Sequence, residues 1–289
     1  MKLLRHGPIG KERPGLLDDE ECIRDLSAHI DDIAGEALSP SGLRRLAEIN
    51  PSRLPMVAKT QRLGPPVSGM KNLVCVGLNY ADHAAEMGSP IPDEPILFLK
   101  ALGSLSGPYD DIILPAHSDK VDWETELGVV IGALARDVSE NNALDYVAGY
   151  VLANDVSERG WQYDRGGSWD KGKGFDTSAP IGPWLVTKDE VPDTANLPVQ
   201  LDLDGVRMQD GNTASMIFRV PFLVSYISRF ITLHPGDVIF TGTPPGVGRG
   251  RKPPLFLKPG QVLSFGIAGL GEQRHRTVTA EQAYLANSG

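Results

Sequence analysis

Cysteine is nearly absent: Cys22 and Cys75 are the only two in 289 residues. Two cysteines cannot build a disulfide framework, and their scarcity fits a reducing, cytoplasmic setting. Basic runs are also missing. The longest is "RGRK" at 249–252, and 37 acids against 28 Lys and Arg leave a formal net charge of -9. Such a chain has no electrostatic footprint for nucleic acid or an anionic membrane surface. No apolar stretch is long enough to span a bilayer. The opening "MKLLRHGPIG" lacks the apolar core of a signal peptide. Internal repeats and low-complexity tracts are absent. So is the G-x-x-x-x-G-K-[ST] phosphate loop, and the Gly-rich "GVGRG" at 246–250 does not sit in the strand–helix plan that nucleotide loops need.

What is present reads as a folded α+β chain of one or two domains. A small N-terminal α+β domain is expected over residues 1–66. "KLLRHG" and "ECIRDLS" would be strands joined by the turn-rich "KERPGLLDD". "LSPSGLRRLAEIN" would be a helix capped by Ser39 or Ser41. Pro, Gly and Ser cluster at 63–72, which marks the linker. Residues 67–289 would form the larger domain. Its apolar runs read as strands, among them "LVCVG", "ILFLK", "DIILP", "ETELGVVIG", "GYVLANDV", "PVQLDLDG", "DVIFTG" and "QVLSFGI". Two helices are expected, over "NYADHAAEM" and "RVPFLVSYISRFITL". The segment "SERGWQYDRGGSWDKGKGFDTSAPIGP" shows almost no apolar period. A loop of that length is functional or disordered, and Trp161, Tyr163 and Trp169 argue against disorder.

Four constellations could carry chemistry. In "VDWETELGVVIG", Glu124 and Glu126 are one residue apart, so on a strand they share a face with Cα atoms ~6.6 Å apart. Two buried carboxylates at that spacing need water, protons or a cation. Asp155, at the end of the apolar run "YVLAND", is a candidate third acid. Two glutamates and an aspartate suit a hard, oxygen-seeking ion, and no His or Cys lies at zinc-ligand spacing. Second, His83 and Glu86 in "ADHAAE" stand at i, i+3 on the expected helix, where a carboxylate can orient an imidazole as a general base requires. Third, Arg159, Gln162, Lys171 and Lys173 follow the acid at 155 and suit an anionic, oxygen-rich ligand. Fourth, Thr241 and Thr243 in "TGTPPG" could offer hydroxyls to a carboxylate.

Taken in order, "VGLNYADHAAE", "DWETELGVVIG", "YVLANDVSERGWQ", "GGSWDKGKGFDTSAPIGPWLV" and "PGDVIFTGTPPGVG" resemble the fumarylacetoacetate hydrolase family, over about residues 72–278. The resemblance implies a β-rich catalytic domain of mixed sandwich or roll type behind a small N-terminal domain. It implies that Glu124, Glu126 and Asp155 hold Mg²⁺, with Mn²⁺ or Ca²⁺ as alternatives, and that His83 and Glu86 activate water from a lid helix. Lys173 would join them in catalysis, and Arg159, Gln162 and Thr243 would bind substrate. Some members supply a further acid near the start of this domain, where "VGLNY" offers Asn79; that favours a three-carboxylate Mg²⁺ site over a Ca²⁺ cage.

The implied activity is hydrolysis of a C–C bond in a 2,4-dioxo acid, with release of pyruvate. The Gly-Lys loop is most similar to members acting on 2,4-diketo-3-deoxy sugar acids of the rhamnonate or fuconate type, and the loop's polar groups point the same way. Acylpyruvate or fumarylpyruvate hydrolysis, oxaloacetate decarboxylation and dienoate isomerisation are the alternatives on the same scaffold. A non-catalytic metal-binding protein is the alternative from another class. A 2-oxo acid is the expected small-molecule partner, and a homodimer or larger homo-oligomer the expected assembly.

Overall fold

The computed structural model describes residues 1–287. Strands dominate, and they form two large sheets that share a core. The first has eleven strands. Its main path runs Ile23–Asp25, Arg13–Leu17, Lys2–His6, Ala179–Thr187, Val147–Asn154, Thr125–Ile131, Val238–Phe240, Leu73–Gly77 and Ile96–Leu99. The second has five, in the order Val206–Asn212, Pro198–Leu203, Val262–Ile267, Gly271–Thr279 and Ile112–Leu114. This is the α+β, strand-rich architecture expected from the apolar runs.

The central strand Thr125–Ile131 is buried at every position, because both of its faces are covered. Leu127, Val129 and Ile131 meet Leu201, Leu263 and Phe265 of the second sheet. Val130, on the opposite face, belongs to a second core with Val151, Ala153 and Phe240. Glu124 and Glu126 have the parity of Val130, so they point toward the face away from the second sheet. There the apolar core gives way to charge at one strand end.

The N-terminal segment adds directly to this sheet. Leu3 pairs with Leu185, and Leu3, Leu16, Leu26, Ile33 and Leu38 enter the same core as Val130 and Val151. Residues 13–17, read from sequence as part of a turn, are a strand paired along its whole length with Lys2–His6. Pro14 is tolerated because the ladder to the next strand starts only at Gly15, opposite Asp25. Leu3→Ala removes a fully buried side chain and is expected to cost about 2–5 kcal/mol. Denaturant unfolding monitored by tryptophan fluorescence checks this. A single shifted transition is the expected result; an early separate transition would show an N-terminal unit unfolding alone.

The helices between these strands include α1 (Pro40–Ala47), α2 (Ala81–Glu86), α3 (Arg159–Tyr163), α4 (Asp170–Lys173) and α5 (Val220–Ser228). Ser39 caps α1 by accepting from Gly42 N, as expected. The region without apolar period contains α3 and α4, which have five and four residues, too short to display a helical repeat. The end of that region runs straight into the strand Ala179–Thr187. Among the described residues no helix is long and apolar enough to cross a membrane.

Candidate active site

The strand end carrying Glu124 and Glu126 lies beside the end of Val147–Asn154, because Thr125 pairs with Asn154. Asp155 N then donates to Glu124 O at 2.8 Å, which brings the third acid alongside the first two. Glu124, Glu126 and Asp155 are all buried, and each offers a carboxylate oxygen within 4.8 Å of the others. The structure therefore brings together the three acids singled out from the sequence.

Three buried cations surround them. Lys173 Nζ donates to Glu124 Oε2 at 2.7 Å and to Asp155 Oδ2 at 2.6 Å. Lys100 Nζ donates to Asp155 Oδ1 at 2.6 Å and to Val156 O at 3.2 Å. Arg159 reaches Glu124 Oε1 at 2.6 Å and Asp122 Oδ2 through Nε at 3.0 Å, while its NH1 donates to Gln162 Oε1 at 3.0 Å. Asp122 is itself fixed by the backbone N–H groups of Gly248 and Arg249.

This arrangement separates the two glutamates. Burial pushes the Glu124 carboxyl up, but the charges of Arg159 and Lys173 outweigh it and hold the group well below the usual range. Glu126 has no such partner. Burial first, then the charges of Asp155 and Glu124, push it well above the carboxylate range. Among the described residues its carboxylate accepts one hydrogen bond, from Gly242 N at 2.6 Å. Gly242 sits at φ +95°, and a Cβ there would lie 2.8 Å from Asn79 Cβ, so the turn that presents this N–H needs glycine. Lys173 is raised: burial opposes its charge, yet Asp155 and Glu124 prevail. Lys100 is lowered because burial outweighs Asp155.

The residues fit a divalent cation. Among the buried charged groups of the cluster, four carboxylates (Asp122, Glu124, Glu126, Asp155) face three cations (Lys100, Arg159, Lys173). With every group counted as ionised, one negative charge is left over, and Glu126, the acid pushed up by burial and by Asp155 and Glu124, is where it falls. Oxygen donors alone are offered, the donor set of a hard ion.

Above this floor stands the dyad. His83 Nδ1 lies 2.9 Å from Glu86 Oε2 on α2. Glu86 uses its other oxygen to accept from Gly246 N at 2.9 Å, so the carboxylate is held from both sides. With Nδ1–H donated to Glu86, the imidazole keeps Nε2 as an acceptor. The buried Tyr80 and Ala84 anchor α2. Asn79 clasps its start, donating to Phe218 O and Thr241 O and accepting from Phe218 N. The position that some relatives fill with an acid is here a structural clasp.

His83, Glu124, Glu126, Arg159, Gln162, Lys173 and Thr243 line one narrow cleft, together with Val76, Gly77, Leu78, Met87, Phe98, Tyr163, Trp169 and Gly242. Gln162 accepts from Arg159 through Oε1, which leaves its amide N–H₂ to donate into the cleft. Thr243 lines the cleft, but its hydroxyl donates to Thr125 O and accepts from Gln209. Lys171 is exposed and its ammonium is bonded to Arg165 O, away from this group. Lys100 and Asp122 were not foreseen. Lys100 ends the strand run "ILFLK", where a lysine ordinarily reaches solvent, and Asp122 lies just before the Glu124–Glu126 pair with no spacing that marks it.

Three buried acids at a strand end, with a His–Glu pair on α2 facing them across a cleft, give this strand-rich fold a site that could hold a metal ion. The family model of the fumarylacetoacetate (FAA) hydrolase C-terminal domain matches residues 72–278, and the chain belongs to that family. A Burkholderia orbicola protein with only a provisional hydrolase name is 59% identical over 282 residues, covering 97% of this chain and all of that protein. The solved fumarylacetoacetate hydrolase of psychrophilic Exiguobacterium antarcticum is 34% identical with a TM-score of 0.84, over 96% of this chain and 99% of that one. Maleylpyruvate hydrolase of Sphingobium sp. SYK-6, solved with manganese(II) and pyruvate, is 28% identical with a TM-score of 0.80, again over 96% and 99%.

Proposed function

We propose that this protein hydrolyses a C–C bond in a 2,4-dioxo acid and releases pyruvate. The observation that carries the reading is that His83, held from behind by Glu86, shares one cleft with Glu124 and Glu126, which have Asp155 beside them. Glu124, Glu126 and Asp155 would hold Mg²⁺, with Mn²⁺ or Ca²⁺ as alternatives. A divalent ion there supplies Lewis-acid polarisation of the oxo acid and stabilises developing negative charge. Four carboxylates against three cations become neutral when one divalent ion and one monoanionic substrate are added.

The chain's own residues do the rest. Gln162 donates to the substrate from its spare amide hydrogens, and Arg159 holds Gln162 in that orientation. His83 Nε2 takes a proton from water, and Glu86 steadies the resulting imidazolium. The water oxygen adds to the 4-carbonyl. The C3–C4 bond then breaks, its electron pair passes into the pyruvate enolate, and the acyl half leaves as a carboxylate. Lys173, held 2.7 Å or less from Glu124 and Asp155, supplies positive charge beside that enolate, and the proton that His83 took from water passes to C3, which completes pyruvate and restores the neutral imidazole.

The sugar-acid tail expected from the sequence keeps the support of the loop resemblance. It loses that of the loop's polar groups: Asp164, Ser168 and Asp170 are exposed and do not line the cleft. A homo-oligomer and a cytoplasmic location complete the proposal. The first is supported by the half-buried aromatics Phe222 and Tyr226 on α5 and the exposed Phe230 just beyond it, the second by two free cysteines.

The test is pyruvate release over a series of 2,4-dioxo acids, with and without EDTA. Chelation is expected to abolish release and added Mg²⁺ to restore it. Full turnover by the chelated protein would remove the metal from the proposal, and binding of oxo acids without any turnover would favour a binding protein.

A further inference from the structure

The deep cations of the cleft are committed. Arg159 spends its guanidinium on Asp122, Glu124 and Gln162, and Lys100 and Lys173 are bonded to Asp155 and Glu124. Arg249 is different. Its backbone N–H donates to Asp122 Oδ2 at 2.9 Å, which ties the residue to the floor of the site. Its side chain runs outward and places the guanidinium carbon 3.8 Å over the ring of Tyr163. Among the described residues no carboxylate pairs with that guanidinium. The next residue, Gly250, presses on the lid: a Cβ there would lie 2.6 Å from Glu86 Cδ. The segment of Arg249 and Gly250 therefore touches α3 through the Arg249 guanidinium and α2 through Gly250, and Arg249 lies one aromatic ring, Tyr163, from the cleft.

The wall between rim and floor is apolar and aromatic. Met87, Phe98, Tyr163 and Trp169 line it, with Trp169 packed edge-on against Phe98 at 5.4 Å and Tyr163 at 5.8 Å. Such a wall offers few partners to a polyhydroxylated chain, whose hydroxyls would lose water there without replacement. It suits a flat, weakly hydroxylated one. A guanidinium stacked on a ring keeps its N–H edge for a planar carboxylate, and the stacking fixes its orientation in advance.

We propose that Arg249 is a specificity-determining residue that receives a second carboxylate at the far end of the acyl half, so that the preferred substrates are dicarboxylic with a flat, weakly hydroxylated tail. The inference rests on the dioxo-acid reading of the site. It also completes the formal charge count: a dianionic substrate brings one charge more than the floor and one divalent ion together would neutralise, and Arg249 is a cation beside the cleft with no carboxylate partner among the described residues.

The experiment compares two non-cleavable ligands of equal length, 2-oxoadipate and 2-oxohexanoate, by calorimetry on the Mg²⁺-loaded protein. Wild type is expected to bind the diacid roughly tenfold or more tightly, the scale of one charge-assisted hydrogen bond. Arg249→Met is expected to erase that difference by weakening the diacid, and Arg249→Lys to retain part of it. Equal affinities in wild type, or equal weakening of both ligands by Arg249→Met, would overturn the assignment. Pyruvate release from a cleavable 2,4-dioxo diacid is scored separately. Its absence alongside a preserved diacid preference would overturn the hydrolase reading and leave Arg249 in its role.

Discussion

Glu126→Gln is expected to abolish cation binding and cut pyruvate release by more than about 100-fold, while the metal-free protein becomes no less stable and melts at the same or a higher temperature. Loss of an outer-shell partner alone costs 10–100-fold, and a direct carboxylate ligand should exceed that. The stability effect has the opposite sign because Glu126 is buried against Glu124 and Asp155 with no cation of its own. Gln keeps an oxygen for Gly242 N and removes the repelled charge. Asp155→Ala should behave differently. It strips Lys100 of its only carboxylate and takes one of two from Lys173, both buried, and so should cost about 3–5 kcal/mol as well as activity. The pair of variants is read by calorimetric cation titration, pyruvate release and melting of the metal-free proteins. Equal destabilisation by both substitutions would show that the two acids share one environment, contrary to this geometry.

His83→Ala is expected to lower kcat by roughly 10²–10⁴, the range for loss of a general base, with KM nearly unchanged. His83 touches Glu86 and faces the cleft, whereas the groups assigned to hold the oxo acid lie on the floor and on α3. The side chain makes no bond to Glu124, Glu126 or Asp155 among its hydrogen bonds, so cation affinity should also be kept. Side-by-side kcat and KM, with cation titration of the variant, check this. A normal kcat would move the base elsewhere. A raised KM at constant kcat would make His83 a binding group.

Much of the site was legible before folding because its signals are local. The i, i+3 spacing places His83 and Glu86 on one helical face, and the i, i+2 spacing places Glu124 and Glu126 on one strand face; both hold. The cap at Ser39 and most strands of the second region were legible for the same reason. The strand at 13–17 was hidden by its proline, and α3 and α4 by their shortness.

By itself the sequence determined the α+β class, the acids and the dyad, since alternation, helical period and residue type act over a few positions. Only the tertiary structure decided what those residues do to one another. Arg159 meets Glu124 across 35 residues of chain and Lys173 meets it across 49; those charges hold Glu124 low, while burial and the neighbouring acids push Glu126 up. The fold also spent the Thr243 hydroxyl internally and set Asp164, Ser168 and Asp170 outside the cleft. A charge's environment is a sum over everything packed around it, in a medium where burial multiplies each term, and no local pattern contains that sum.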